Sequence, residues 1–268
     1  MNVLLFGATG MVGQGVLREC LLDPDVQLVQ TVGRTSVGAQ HPKLREIVHQ
    51  DLWHYQAIAA KLSGFDACFF CLGVASSGMR EQDYEHVTCG ITLAAAEILS
   101  RLNPQMTFVY VSGAGTDSSE QGRAMWARIK GKTENALLRL PFAAAYMFRP
   151  GIIQPLYGAR SKTALYRVFY TLSKPFLPLL RMAFPDYVLT TQQIGRAMLT
   201  VANHGYPKKI LGTKDIRAAA HSYVEKLSYV RRALQDSSGV LDLSLANRKP
   251  AHCYIALKID ISRLARLA

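Results

Sequence analysis

The sequence predicts an α/β fold: a doubly wound parallel sheet with a small substrate-side subdomain and a C-terminal extension. Three observations carry that prediction. Short apolar runs alternate with helical patterns through the first 150 residues. The runs are continuously hydrophobic, as strands covered on both faces are. Three of them end at a glycine: Gly7, Gly33 and Gly73. With right-handed crossovers, this order places helices on both faces of one parallel sheet.

Each element follows in turn. Val3 to Phe6 read as a buried strand, and the helix after it sets Val12, Val16, Leu17 and Cys20 on one side. Pro24 interrupts, and Val26 to Val32 form strand two. Glu46 to His49 read as a short third strand closing at Asp51, and Trp53 to Leu62 look helical. Ala67 to Leu72 make strand four, and Glu81 to Leu102 carry one long helical pattern. Thr107 to Val111 form strand five, Arg123 to Leu140 a further helix, and Ala143 to Phe148 strand six, stopping at Arg149-Pro150-Gly151. Residues 1–220 are expected to form one domain with substrate-side insertions at about 152–190. Residues 221–268 form an extension of no assigned role, helical over Tyr223 to Leu234 and broken at Asp236-Ser237-Ser238-Gly239.

Composition excludes other classes. The 268 residues are 49% hydrophobic and 19% charged, with mean hydropathy +0.08, which is neither disorder nor a collagen pattern. No run approaches the roughly 18–20 apolar residues that span a bilayer, and the start lacks the basic flank and cleavage site of a signal peptide. Cys20, Cys68, Cys71, Cys89 and Cys253 are odd in number and lack framework spacing. Cys68 and Cys71 make a CxxC inside an apolar strand, where residues three apart face opposite sides, so they read as core cysteines. A reducing cytoplasm is the expected location. The seven histidines form no ligand cluster, so no metal site is expected, and no GxSxG elbow suggests a hydrolase.

The glycine-rich turn carries the chemistry. Gly7, Gly10 and Gly13 stand directly after strand one and open the first helix. The first permits a sharp turn, the second lets backbone approach a pyrophosphate, and the third lets the helix pack closely on the sheet. The helix N-terminus offers free N–H groups to phosphates. The expected ligand is a dinucleotide on a Rossmann-type NAD(P)-binding fold. Gly33-Arg34-Thr35-Ser36 occupies the end of strand two, where NAD sites usually carry a carboxylate on the ribose 2′-hydroxyl. Arg34 suits a 2′-phosphate, so NADP(H) is expected over NAD(H). Asp51 reads either as an acceptor for the adenine amino group or as a helix N-cap.

With these residues in view, the chain resembles the short-chain dehydrogenase/reductase superfamily. It is similar in particular to its atypical members near the Tat-interacting oxidoreductase-like and NAD(P)-binding epimerase-like proteins. The matching segments are GATGMVGQG, VGRT, DACFFCLG, FVYVSGAGTDSS, ARIKGKTENALL, FRPGIIQP, TTQQIGRAML and KKILGTKDI, within residues 1–217. The resemblance implies that Gly7, Thr9, Gly10, Met11, Val12 and Gly13 wrap the pyrophosphate. Arg34 and Thr35 would meet the 2′-phosphate, Asp51 and Leu52 would flank adenine, and Cys71, Leu72 and Gly73 would line the adenosine side. Lys130 would bridge the nicotinamide ribose hydroxyls, with Pro150 and Ile152 at the nicotinamide end.

One position departs from that pattern. The superfamily's active motif is Tyr-x-x-x-Lys, two side chains one turn apart on the helix after strand five. Here Trp126 stands at the Tyr position ahead of Lys130. An indole N–H donates a hydrogen bond and does not titrate near neutral pH. Either a proton comes from elsewhere, with Tyr157, Tyr84 or Ser112 through water as candidates, or the protein binds dinucleotide without turnover. Ser112 reads either as a donor to substrate or as a strand-end cap. The expected function is an oxidoreductase on a small hydrophobic carbonyl or alcohol. The alternatives are a dinucleotide sensor acting through protein partners and a peripheral membrane protein.

The charge is uneven. The chain carries +12 overall, but residues 1–119 are net −4 and residues 120–185 net +9. The excess lies on the presumed substrate side, where an acidic substrate group or an anionic surface would meet it. No nucleic-acid partner is expected, because no groove-reading motif accompanies the charge. Residues 164–184 mix apolar and aromatic residues with Arg167, Lys174 and Arg181. They read as a membrane-surface segment, with peripheral contact through 160–184, or as the substrate-side subdomain with basic residues snorkelling over a pocket. An oligomer is compatible with the sequence.

Overall fold

The computed structural model describes residues 1–159 and 187–236, with side chains described to residue 225. The basic stretch 164–184 and residues 237–268 lie outside the described residues. Met1–Val224 form one compact unit.

Seven parallel strands make the sheet: β1 (Asn2–Phe6), β2 (Leu28–Gly33), β3 (Leu44–Val48), β4 (Ala67–Phe70), β5 (Thr107–Val111), β6 (Ala144–Arg149) and a last strand (Ile210–Gly212) at the edge. Their order is β3-β2-β1-β4-β5-β6 and then that last strand. Val3 stands opposite Val29 on one side and Ala67 on the other. Strand order therefore reverses beside β1, which makes the C-terminal ends of β1 and β4 a topological switch point, where crevices in doubly wound sheets open.

The helices cover both faces. The first is α1 (Met11–Leu22), joining β1 to β2. On the opposite face, Gln56–Leu62 form a 3₁₀ helix. The pattern read as one long helix over 81–102 is helical throughout, as α2 (Glu81–Glu85), a π turn at His86–Gly90, and α3 (Ile91–Leu102). The π turn sets His86 flat against the Trp53 ring, with centroids 5.1 Å apart. Next comes α4 (Met125–Leu138), between β5 and β6. Phe6, Phe70, Phe108 and Tyr110 are each at most 1% exposed; the three phenyl rings stack in a row and the Tyr110 ring tilts against Phe70.

Three short strands escaped the sequence reading. Here β7 (Ile152–Gln154) and β8 (Val188–Thr190) pair parallel as a separate two-stranded sheet, and β9 (Ile210–Gly212) is the edge strand of the main sheet. At three residues each, none carries a period-2 signal. Following β8, α5 (Thr191–His204) starts at a capping box, Thr190 with Gln193, each side chain bonded to the other's backbone. It packs across α1 at two glycines. A Cβ at Gly15 would stand 2.5 Å from the Thr191 Cβ, and one at Gly195 2.9 Å from the Glu19 Cγ. Glu19 is 3% exposed and bonds Arg196 at 3.0 Å and Arg18 at 2.5 Å, which neutralises it at this crossing. The last helix, α6, spans Thr213–Asp236.

Candidate functional site

A cavity of about 830 Å³ opens at the switch point. Its floor is the turn between β1 and α1. Gly7 adopts φ +79°, and a Cβ there would stand 2.6 Å from the Cys71 carbonyl carbon and the Leu72 nitrogen. A Cβ at Gly13 would stand 2.1 Å from the Gly7 oxygen. The turn and helix are therefore packed to a spacing that only glycine allows. Gly10 caps α1 without a side-chain bond, and the first turn holds no acid. The helix presents its uncapped N-terminus and partial positive charge to the cavity.

The cavity runs from this turn in two directions. Toward β2 and β3 it meets Thr31, Gly33, Arg34, Thr35, Gln50 and Leu52. The loop after β2 is held from behind: Glu46 accepts from the Ser36 hydroxyl at 3.0 Å and from the Val37 N–H at 2.7 Å. Gln50 donates to the Arg34 carbonyl at 2.8 Å, while among the described residues nothing bonds the Arg34 guanidinium. Toward β5 and β6 the wall is Cys71, Leu72, Gly73, Val111, Ser112, Lys130, Pro150 and Ile153. The described lining holds two cations, Arg34 and Lys130, and no carboxylate.

Lys130 sits at the far end from Arg34. Its Nζ donates to the Ser112 carbonyl. Burial lowers its pKa to about 8, against the Glu134 carboxylate, which favours the ammonium. Glu134 is fully buried, and Arg149 bridges it through Nε at 3.1 Å to both oxygens. The Ser112 hydroxyl lies against Glu134 and the Phe148 carbonyl. Arg149 also reaches the Ser118 hydroxyl. Burial of the Cys71 thiol pushes its pKa upward, so it does not ionise near neutral pH.

The structure brings most of the expected site residues together. Gly7, Thr9, Gly10, Met11, Val12, Arg34, Thr35, Leu52, Cys71, Leu72, Gly73, Ser112, Lys130 and Pro150 all line the cavity. Four stand apart. Gly13 lies behind the turn as a packing residue. Asp51 turns to His54 Nδ1 at 2.8 Å and to the Trp53 N–H at 3.0 Å, bonds that lower its pKa, and its neighbours Gln50 and Leu52 face the cavity instead. Ile152 points outward at 40% exposure while Ile153 faces inward. Trp126 packs against Gly115, its ring 3.2 Å from where a Cβ would stand.

Of the three expected proton sources, two are placed elsewhere. Tyr84, on α2, is 1% exposed. Tyr157 is 63% exposed, lies under the Arg18 guanidinium at 3.7 Å and accepts from Gln192 at 3.3 Å. Neither lines the cavity. The Ser112 hydroxyl is engaged within the protein, which favours the strand-end reading. Glu134 and Arg149 were not singled out from sequence. The one available signal was Glu134 one turn after Lys130 on the same helix.

No family model matches the chain. Among curated proteins it is 30% identical over 164 residues to the mitochondrial protein FMP52-2 of Scheffersomyces stipitis, covering 60% of this chain and 69% of that protein. It is 28% identical over 232 residues to the mitochondrial protein FMP52 of Debaryomyces hansenii, covering 81% and 96%. Among solved structures it is similar to the Bordetella bronchiseptica enzyme WbmF in complex with NAD+ (TM-score 0.59, 16% identity, 84% of this chain and 77% of that one). It is also similar to a short-chain dehydrogenase/reductase family oxidoreductase from Burkholderia thailandensis (TM-score 0.59, 15% identity, 85% and 97%). The fold is thus the one found in these NAD-binding and short-chain dehydrogenase/reductase structures. The expected cytoplasmic location is overturned, because the matched relatives are named mitochondrial. Unpaired cysteines report a reducing surrounding and do not distinguish between reducing compartments. Among the described residues, no helix is long and apolar enough to cross a membrane, and no group of metal-ligating residues forms.

Proposed function

This chain belongs to the Fmp52 family, and from that premise we propose that it is an NADP(H)-binding oxidoreductase acting on a small hydrophobic carbonyl or alcohol. The observation that carries this reading is the cavity itself. It joins an uncapped helix N-terminus to two cations at opposite ends, with no carboxylate in its described lining. The N–H groups at the start of α1 would hold the pyrophosphate, as helix N-termini hold phosphate. The Gly7–Gly13 spacing would let it approach the backbone. Arg34 would meet a 2′-phosphate in a fork of charge-assisted hydrogen bonds. Lys130 would hold the nicotinamide ribose, and Pro150 and Ile153 would offer apolar walls to the substrate. The bound nicotinamide would supply or accept a hydride. The WbmF complex with NAD+ supports a nicotinamide dinucleotide as the ligand class.

Calorimetry with NADPH and NADH tests the reading. We expect NADPH to bind at least tenfold more tightly. Equal affinity removes the NADP preference, and no binding of either removes the function. The position of Trp126 outside the cavity favours a second reading, a dinucleotide sensor without turnover. It predicts NADPH binding with no reduction of any aldehyde or ketone offered.

A further inference from the structure

Resting on the oxidoreductase reading, we propose that Lys130 is the proton donor to the substrate oxygen, held in place by Glu134 acting as a positioning residue through Ser112. The lining of the cavity leads to this by elimination. Among the described residues that line it, only Arg34, Cys71 and Lys130 ionise. Arg34 stays charged and stands at the opposite end. The Cys71 thiol is held protonated by burial. Trp126 is turned against Gly115, and Tyr84 and Tyr157 lie away from the cavity.

Lys130 has the geometry for the role. One of its three N–H groups is given to the Ser112 carbonyl, which leaves one for the nicotinamide ribose and one for the substrate oxygen. That carbonyl is itself fixed, because the Ser112 side chain bonds Glu134, and Glu134 is clamped by Arg149. Arg149 balances the Glu134 charge, and Glu134 faces Lys130 from one turn further along the helix. The other acids near α4 are engaged elsewhere: Glu81 with Arg128, Glu85 with Lys132, Glu120 with Asn135, and Asp117 with Ser119 and the Gly122 N–H. Desolvation makes the ammonium more acidic than an ordinary lysine, so it releases a proton near neutral pH.

The step balances. Carbonyl reduction places a hydride on carbon and a proton on oxygen. A reduced nicotinamide dinucleotide, held at the start of α1, would supply that hydride and be oxidised in doing so. Lys130 gives up one proton, becomes a neutral amine, and is reprotonated by water at the cavity mouth. In the reverse direction the neutral amine takes the alcohol proton.

Lysine-selective ¹³C labelling of the full chain tests this directly. The Lys130 Cε resonance, assigned by its loss in Lys130→Arg, should titrate near pH 8. In Glu134→Gln, loss of the carboxylate should move that midpoint lower. A midpoint above about pH 10, the ordinary lysine range, overturns the proposal. A second readout uses NADPH with a panel of aldehydes and ketones. Lys130→Arg keeps the charge but cannot release a proton. It should lose at least 100-fold in turnover when measured at saturating NADPH. Turnover within threefold of the full chain overturns the proposal and leaves the oxidoreductase reading intact. NADPH binding without reduction of any panel member also overturns it and leaves the dinucleotide site standing. Absence of NADPH binding removes both.

Discussion

Lys130 and Trp126 are one turn apart on α4, yet only Lys130 reaches the cavity. The indole ring lies over Gly115, which adopts φ +86°, at a place where a side chain would crowd it. The helix therefore delivers one functional group to the site instead of two.

The burial of Lys130 makes apoprotein stability pH-dependent with an unusual sign. Its folded-state pKa, about 8, lies below the ordinary lysine value of 10.5. Between those values the unfolded chain binds the extra proton, so this group's contribution to stability rises with pH. Below pH 8 the buried ammonium opposes folding by its full amount. Lys130→Met should stabilise the apoprotein at pH 7 by on the order of 2 kcal/mol. That gain should shrink as pH rises from 8 toward 10.5. Urea midpoints at pH 7 and pH 10 check it.

Removing Glu134 should be costly. The carboxylate is fully buried and holds Arg149, whose side chain is 19% exposed. Glu134→Ala should destabilise by about 3–5 kcal/mol, because it leaves a buried cation unpaired. The double change Glu134→Ala with Arg149→Met should recover part of that loss. Chemical denaturation of both variants gives the comparison.

Gly13→Ala should damage fold and site together. Its Cβ would stand 2.1 Å from the Gly7 oxygen and 2.7 Å from the Gly7 carbon, both backbone atoms that cannot rotate away. A loss of about 1–3 kcal/mol is expected from overpacking. NADPH affinity should fall with it, since the turn must open. The urea midpoint and calorimetric affinity should move in parallel.

Arg34→Ala should separate the two cofactors. A charge-assisted bond contributes about 1.5–3 kcal/mol, so NADPH should bind roughly 10- to 100-fold more weakly. NADH, which lacks the 2′-phosphate, should change less than threefold. The ratio of the two affinities is the measurement.

The order of strands and helices through residue 149 was legible in the sequence, because long apolar runs and 3.6-residue periods report burial directly. The glycine turn was legible as well: glycine spacing encodes a backbone clearance that no other residue permits. Boundaries and facings were less so. The alternation of neighbouring side chains put Gln50 and Ile153 into the cavity where Asp51 and Ile152 were expected, a slip of one residue each. Strands β7, β8 and β9 are too short to carry a period.

What the sequence determined by itself was therefore the class of fold, the turn, and the presence of lysine without its usual tyrosine. Only the tertiary structure decided which polar groups face the cavity and which are used up inside. The Ser112–Glu134–Arg149 network joins the end of β5, α4 and β6, and its bonded partners are 22 and 15 residues apart along the chain. No local pattern encodes such a meeting, because it depends on how a helix lies across a sheet. That same placement buries Lys130 and brings its ammonium to the cavity wall.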